Sequence, residues 1–250
     1  MIELSRHGAV AELRIRHAKE LNPFTRAMTR ELIALCAEVE ADDALEGAFL
    51  WGGEGRSFSV GGDFHDLRQI KGPAEGEEYL RDIVRSYQAV LAITKPVVAA
   101  VDHHAIGQGL QVALMADWRV GSERSSYHMP ELANGMPCPL GSLILETMLG
   151  RAAMLHWVVG CGKVDAEAAR REHLIDEIRP HAELKDAALA RLDAFRGYPS
   201  RAFRLTKRIH NQRFSERLEG VREAAAKAHA LSYFSGQAEA HFARIVGGER

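Results

Sequence analysis

The sequence predicts an α/β fold, on three observations. Val97, Val98, Ala99, Ala100 and Val101 form an unbroken apolar run, the pattern of a strand buried on both faces. Two stretches with apolar residues at helical spacing precede it: Met28, Leu32, Leu35 and Val39, then Leu80, Ile83, Val84, Tyr87, Val90 and Leu91. Both apolar strand segments, residues 48–51 and 97–101, run into glycine-rich turns followed by helical sequence, GGEGRSFSVGGDF and AIGQG. Repetition of helix, strand, glycine turn and helix is the signature of layered α/β architecture with right-handed crossovers.

The elements follow in order. Ile2 and Leu4, then Val10, Leu13 and Ile15, alternate with polar residues around His7-Gly8 and predict a β-hairpin that Asn22-Pro23 ends. Residues 25–42 read as an amphipathic helix with Thr25 as its N-cap. Asp63 can cap a short helix after the first glycine turn, and Lys95-Pro96 closes the long helix before the buried strand. From residue 140 onward the pattern is nearly all helical, over 142–149, 151–159, 165–172, 183–195, 200–211 and 215–246, the last interrupted near Ser235-Gly236. The organisation is an α/β core over residues 1–195 and a helical C-terminal region over 196–250.

Composition narrows the function. A hydrophobic fraction of 46% supports a substantial core, and a formal charge of −2 gives no global field to recruit nucleic acid or a membrane surface. Cys36, Cys138 and Cys161 stand far apart, without the even count of a disulfide framework, and the charged opening of the chain has no signal-peptide character. These features predict a soluble, cytoplasmic protein.

The chemistry-bearing positions begin with the glycines. Backbone N–H groups reach a ligand only where no side chain intervenes, so Gly61-Gly62 and the Gly107-Gln108-Gly109 turn are candidate donor sites at the carboxyl ends of strands. Glu131, after Pro130 in an irregular segment, is a candidate acid or base, with an N-cap or surface ion pair as the plain alternative. Asp102, His103 and His104 invite a metal reading, but neighbours in an extended segment point apart and no further ligand is evident. Lys207, Arg208 and Arg213 form a basic cluster that can be a solvated face or a phosphate contact.

On Asn22-Pro23, FSVGGDF, KPVVAAVDHHAIGQG and MPELANG, the sequence resembles the enoyl-CoA hydratase/isomerase, or crotonase, family over nearly its whole length. The resemblance implies a crotonase-like spiral of ββα units with a helical C-terminal trimerisation region, a homotrimer or dimer of trimers, and no cofactor or metal beyond coenzyme A in the thioester substrate. It assigns an oxyanion hole to the amides of Gly62 and Gln108, and coenzyme A contacts near Val60, Gly62 and Phe64. Hydratases of the family use two carboxylates; here Glu131 matches the second and Gln111 replaces the first. An amide does not titrate near neutral pH, but it can donate to a substrate carboxylate that a second glutamate would repel, by about 4 kcal/mol at ~4 Å and an effective dielectric near 20.

Within the family, NPFTR, RSFSVGGDF, YQAVL, LQVALM, MPEL, YPSRAF and AAAKAHA look like the carboxymethylproline synthases of carbapenem biosynthesis. That implies malonyl-CoA and pyrroline-5-carboxylate as substrates, Glu131 activating a hydrolytic water, Gln111 binding a carboxylate or orienting the enolate, and Tyr79 and His229 lining the imine-acid pocket. The sequence departs from those relatives at His103-His104, at Gln108, where a more apolar residue is expected, and at Tyr79, where a tryptophan is expected. The alternatives are a hydratase or isomerase using Glu131 alone and a catalytically silent binding scaffold.

Overall fold

The computed structural model describes residues 1–233. Its hairpin joins β1 (Ile2–His7) to β2 (Val10–Ile15) in antiparallel register, with Gly8 in the left-handed conformation at the turn. Helix α1 (Arg26–Ala41) starts where the Thr25 side chain accepts the Met28 N–H, and it buries Met28, Leu32, Cys36 and Val39. Strand β3 (Gly47–Trp51) is buried throughout and pairs in parallel with β2. After the short helix α2 (Phe64–Leu67), capped by Asp63, comes α3 (Pro73–Ala92), whose apolar stripe packs toward α1.

The predicted buried strand is β4 (Val97–Val101), paired in parallel with β3 so that Leu50 lies beside Ala99. A short strand β5 (His104–Ile106) leads through Gly107 into α4 (Gln108–Ala113). Next come β6 (Trp118–Ser122), β7 (Ser126–His128), α5 (Pro139–Leu149), α6 (Arg151–Gly160), β8 (Lys163–Asp165), α7 (Ala166–Arg171), β9 (Glu177–Arg179) and α8 (Leu184–Arg196). A main sheet in the order β1-β2-β3-β4-β6-β9 and a smaller sheet β5-β7-β8 result. Helix α9 (Ser200–Tyr233) lies against α3 and α5.

Two readings of the sequence need correction. The region after residue 140 is not nearly all helical: β8 closes the small sheet and β9 adds to the main one beside β6. Both strands have three residues, too few for a period of two to register. Residues 200–211 and 215–233 are one continuous helix, because Gln212 and Arg213 extend the pattern and Phe214 and Leu218 keep its buried face. The helical reading of 234–246, with its interruption at Ser235-Gly236, lies outside the described residues.

Helix α9 does more than cover the core. Its Lys207, from the basic cluster, is buried, paired with Asp117 and bonded to the Lys95 carbonyl at 2.8 Å, so it faces neither solvent nor a phosphate. Asp102 is held by Arg124 and by the Ser122 hydroxyl at 2.7 Å, and His104 meets Ser126 at 2.8 Å. Among the described residues, His, Cys, Asp and Glu form no group of three that could hold a metal ion, and no helix is long and apolar enough to cross a membrane.

Candidate active site

The two glycine turns are brought together by one extended segment. Residues 57–63 run between the chain at 20–24 and the chain at 102–106: Phe58 N–H donates to Asp102 O at 3.0 Å, Ser59 N–H to His104 O at 2.9 Å, and Ile106 N–H to Ser59 O at 2.9 Å. On the other side Phe24 donates to Gly61 O at 2.7 Å and accepts from Asp63 N–H at 2.8 Å. Buried Asn22 anchors the preceding loop, donating to Gly52 O at 3.0 Å and Ser57 O at 2.8 Å.

This register leaves two amides open. Phe24 bonds residues 61 and 63, so the N–H of Gly62 between them is turned away, and no described residue accepts it. Gln108 opens α4, where the first N–H groups have no intrahelical acceptor, and its amide also lacks a partner among the described residues. The turns touch: Gly61 has φ +94°, and a Cβ there would stand 2.9 Å from Ile106 O and 3.5 Å from Gln108 N. Only glycine fits both the conformation and the approach.

Both turns border a cavity of about 410 Å³. Its lining includes every residue that the family resemblance assigns to the site: Val60, Gly62, Phe64, Tyr79, Gln108, Gln111, Glu131 and His229. They come from the extended segment, α2, α3, α4, the 130–138 loop and α9, spanning 170 positions of chain.

Glu131 is buried, and among the described residues it is the one carboxylate lining the cavity. Its Oε1 accepts from Gln111 Nε2 at 2.8 Å, and the Tyr87 hydroxyl donates to Gln111 Oε1 at 2.8 Å. That phenol fixes the amide: with its oxygen held by Tyr87, Gln111 can offer Glu131 only N–H. Gln111 Nε2 also lies 3.4 Å from Met129 Sδ. The N–H group that the resemblance assigns to a carboxylate or to the enolate is held by Glu131 in this structure. Burial pushes the Glu131 carboxyl up to about 7, against the opposing pull of its own backbone, Cys138 and Gln111. Its Oε2 has no hydrogen-bond partner among the described residues. A carboxyl poised near neutrality, with one oxygen fixed and one open, can take or give a proton at working pH.

His229 is brought to the cavity by α9, and burial lowers its imidazole to about 4, so it is neutral at pH 7 and can hydrogen-bond a carboxylate rather than ion-pair with it. Burial raises the Tyr79 phenol well above its ordinary range, keeping it protonated. Three residues escaped the sequence reading. Tyr87 passed as one more apolar residue of the α3 stripe, although a buried tyrosine hydroxyl requires a partner. Cys138, its thiol raised by burial and by Glu131, lines the same wall. Thr29 lies on the buried face of α1, where its hydroxyl accepts from Gln108 Nε2 at 3.2 Å. No spacing rule points to these last two.

Comparison with known proteins agrees with this architecture. The family model described as enoyl-CoA hydratase/isomerase matches residues 5–241. Carboxymethylproline synthase from Pectobacterium carotovorum subsp. carotovorum is 35% identical over 231 residues, 92% of each chain. The probable enoyl-CoA hydratase echA17 of Mycobacterium avium is 34% identical over 187 residues, 74% of this chain and 72% of that one. Among solved structures, ThnE from S. clavuligerus superposes with a TM-score of 0.80 at 35% identity, covering 91% of this chain and 100% of its own. An enoyl-CoA hydratase/isomerase from Mycobacterium paratuberculosis shares the fold with a TM-score of 0.88 at 21% identity, covering 97% of both. Fold, glycine turns and sequence together make this chain a member of the enoyl-CoA hydratase/isomerase family, the crotonases.

Proposed function

We propose that the chain is a carboxymethylproline synthase. Malonyl-CoA loses carbon dioxide, and the electrons of the broken C–C bond pass to the thioester oxygen, where the Gly62 and Gln108 amides receive the negative charge. Such donors contribute roughly 3 to 4 kcal/mol apiece to a transition state of this type. The enolate carbon attacks the C=N carbon of pyrroline-5-carboxylate, the π electrons pass to the ring nitrogen, and that nitrogen takes a proton from solvent. Water, deprotonated by Glu131, then displaces coenzyme A. Tyr79 and His229 are assigned to the imine acid, Val60 and Phe64 to the thioester, and Gln111 to holding Glu131. No cofactor is invoked beyond the coenzyme A of the substrate, and the assembly proposed is a homotrimer or dimer of trimers.

The observation that carries the reading is the pairing of Gln111 with Glu131. Water addition by two carboxylates has no second carboxylate here among the described residues, whereas hydrolysis needs one base near neutrality. The 35% identity to a carboxymethylproline synthase supports the same choice. Purified protein given malonyl-CoA and pyrroline-5-carboxylate should yield carboxymethylproline and free coenzyme A, identified by mass. Faster turnover of crotonyl-CoA than of malonyl-CoA would replace the proposal with a hydratase or isomerase. Unchanged function in Glu131→Ala would point to a non-catalytic scaffold.

A further inference from the structure

Thr29 dictates how Gln108 presents its side chain. The Thr29 hydroxyl donates its single proton to Thr25 O at 3.1 Å, so toward Gln108 it can only accept, and it does so from Nε2 at 3.2 Å. The amide nitrogen is therefore committed to α1 and the oxygen faces the other way. That oxygen, on a side chain 7% exposed in the cavity wall, has no hydrogen-bond partner among the described residues. A buried carbonyl oxygen without a donor is costly, and a cavity wall is where a ligand can supply one.

A second polar atom converges on the same place. A Cβ built on Gly62 would stand 3.4 Å from Gln108 Oε1 and 2.8 Å from the Tyr79 hydroxyl. The Tyr79 hydroxyl lines the same cavity, and its burial keeps its proton on. One acceptor and one donor, carried by α4 and α3, thus stand over the glycine whose amide is open. A methyl group placed there would satisfy neither, and a carboxylate would meet the carbonyl oxygen lone pairs. A hydroxyl satisfies both, donating to Gln108 Oε1 and accepting from Tyr79.

We propose that Gln108 and Tyr79 form a hydroxyl-reading pair, making this enzyme selective for a substrate that carries a hydroxyl beside the carbons being joined. The inference rests on the synthase reading and deepens it by naming the substrate class. The hydroxyl has two possible sources, the acyl carbon next to the thioester carbonyl or a ring carbon of the imine acid.

Competition assays on the full chain separate them. One arm compares hydroxymalonyl-CoA with malonyl-CoA and methylmalonyl-CoA, using pyrroline-5-carboxylate as acceptor. The other compares 3-hydroxylated with plain pyrroline-5-carboxylate, using malonyl-CoA. In one arm kcat/KM should favour the hydroxylated substrate by roughly 10-fold or more, as in sites built around a substrate hydroxyl. Gln108→Met, which keeps the backbone amide, and Tyr79→Phe should each bring that ratio to about 1. No hydroxyl preference in either arm, or a preference that survives both substitutions, overturns the pair and indicates that water fills the position. If no malonyl thioester turns over at all, the synthase reading fails separately. Calorimetric affinities for hydroxyacetyl-CoA against propionyl-CoA, and for 3-hydroxylated against plain pyrroline-5-carboxylate, then decide the pair: roughly 10-fold tighter binding of one hydroxylated ligand, lost in Gln108→Met, upholds it, and equal affinities in both comparisons sink it.

Discussion

On the wall built from the glycine turns, the Gly62 and Gln108 amides and the Gln108 side-chain oxygen lack partners among the described residues, whereas on the wall built from α3, α4 and the 130–138 loop, Tyr87, Gln111 and Glu131 are joined by two bonds of 2.8 Å. The first wall keeps its hydrogen-bonding capacity for whatever enters. The second joins Tyr87, Gln111 and Glu131 to one another, and of their side-chain oxygens only Glu131 Oε2 lacks a partner among the described residues. The contrast matches two different tasks. Receiving charge calls for fixed donors with nothing bound to them beforehand, and moving a proton calls for one group whose affinity is set by its surroundings.

The largest effect should come from removing the titrating group. Glu131→Gln should slow release of the free acid about 10²- to 10⁴-fold, while malonyl-CoA is still decarboxylated and a coenzyme A adduct accumulates, visible by mass spectrometry. Loss of decarboxylation in that variant would join the two walls in one step and break the division of labour.

The same carboxyl should set a pH dependence of stability. Burial raises it from 4.5 to about 7, so between those values the folded protein keeps a proton that the unfolded chain releases. Stability therefore falls as pH rises through that window, by roughly 3 kcal/mol for the full shift. Melting temperature followed from pH 5 to 8 should decline in the wild type and be flatter in Glu131→Gln; parallel curves would contradict the assignment.

A smaller effect is expected from Gly61→Ala, whose Cβ would press to 2.9 Å from Ile106 O at φ +94°. Strain of this kind costs about 1–3 kcal/mol and should lower the melting temperature together with turnover. Full activity at an unchanged melting temperature would mean that the contact between the turns is dispensable. Smallest is Tyr87→Phe. Gln111 Oε1 loses its donor, the amide is free to rotate its oxygen toward Glu131, and the acid limb of the kcat profile should move to higher pH, with stability reduced by about 1 kcal/mol. An unmoved limb would show that the second wall is ordered without the phenol.

The sequence discloses most of this in the elements that have a period. The α1 and α3 stripes, the continuous run of β4 and the glycine turns are legible because burial on one face or both writes a pattern into the residues. Strands β5, β7, β8 and β9 each have three residues and leave no such pattern, which hid the second sheet and the last strand of the first. The eight site positions came from residue type and resemblance, and they share one cavity. What stayed hidden is the partner of each: that Gln111 answers to Glu131, that Tyr87 orients Gln111 and that Thr29 orients Gln108 depends on contacts 20 to 79 positions apart in the chain, through side chains that look like ordinary core or helix residues.

Helix α9 completes the cavity with His229 and Ala230, and its Ser232 hydroxyl donates to the Gly135 carbonyl at 2.6 Å, tying it to the 130–138 loop. Because ribosomes build the chain from the other end, the glycine turns and Glu131 emerge and can fold while this last wall does not yet exist. A polypeptide that has not yet reached α9 therefore lacks one wall of the cavity.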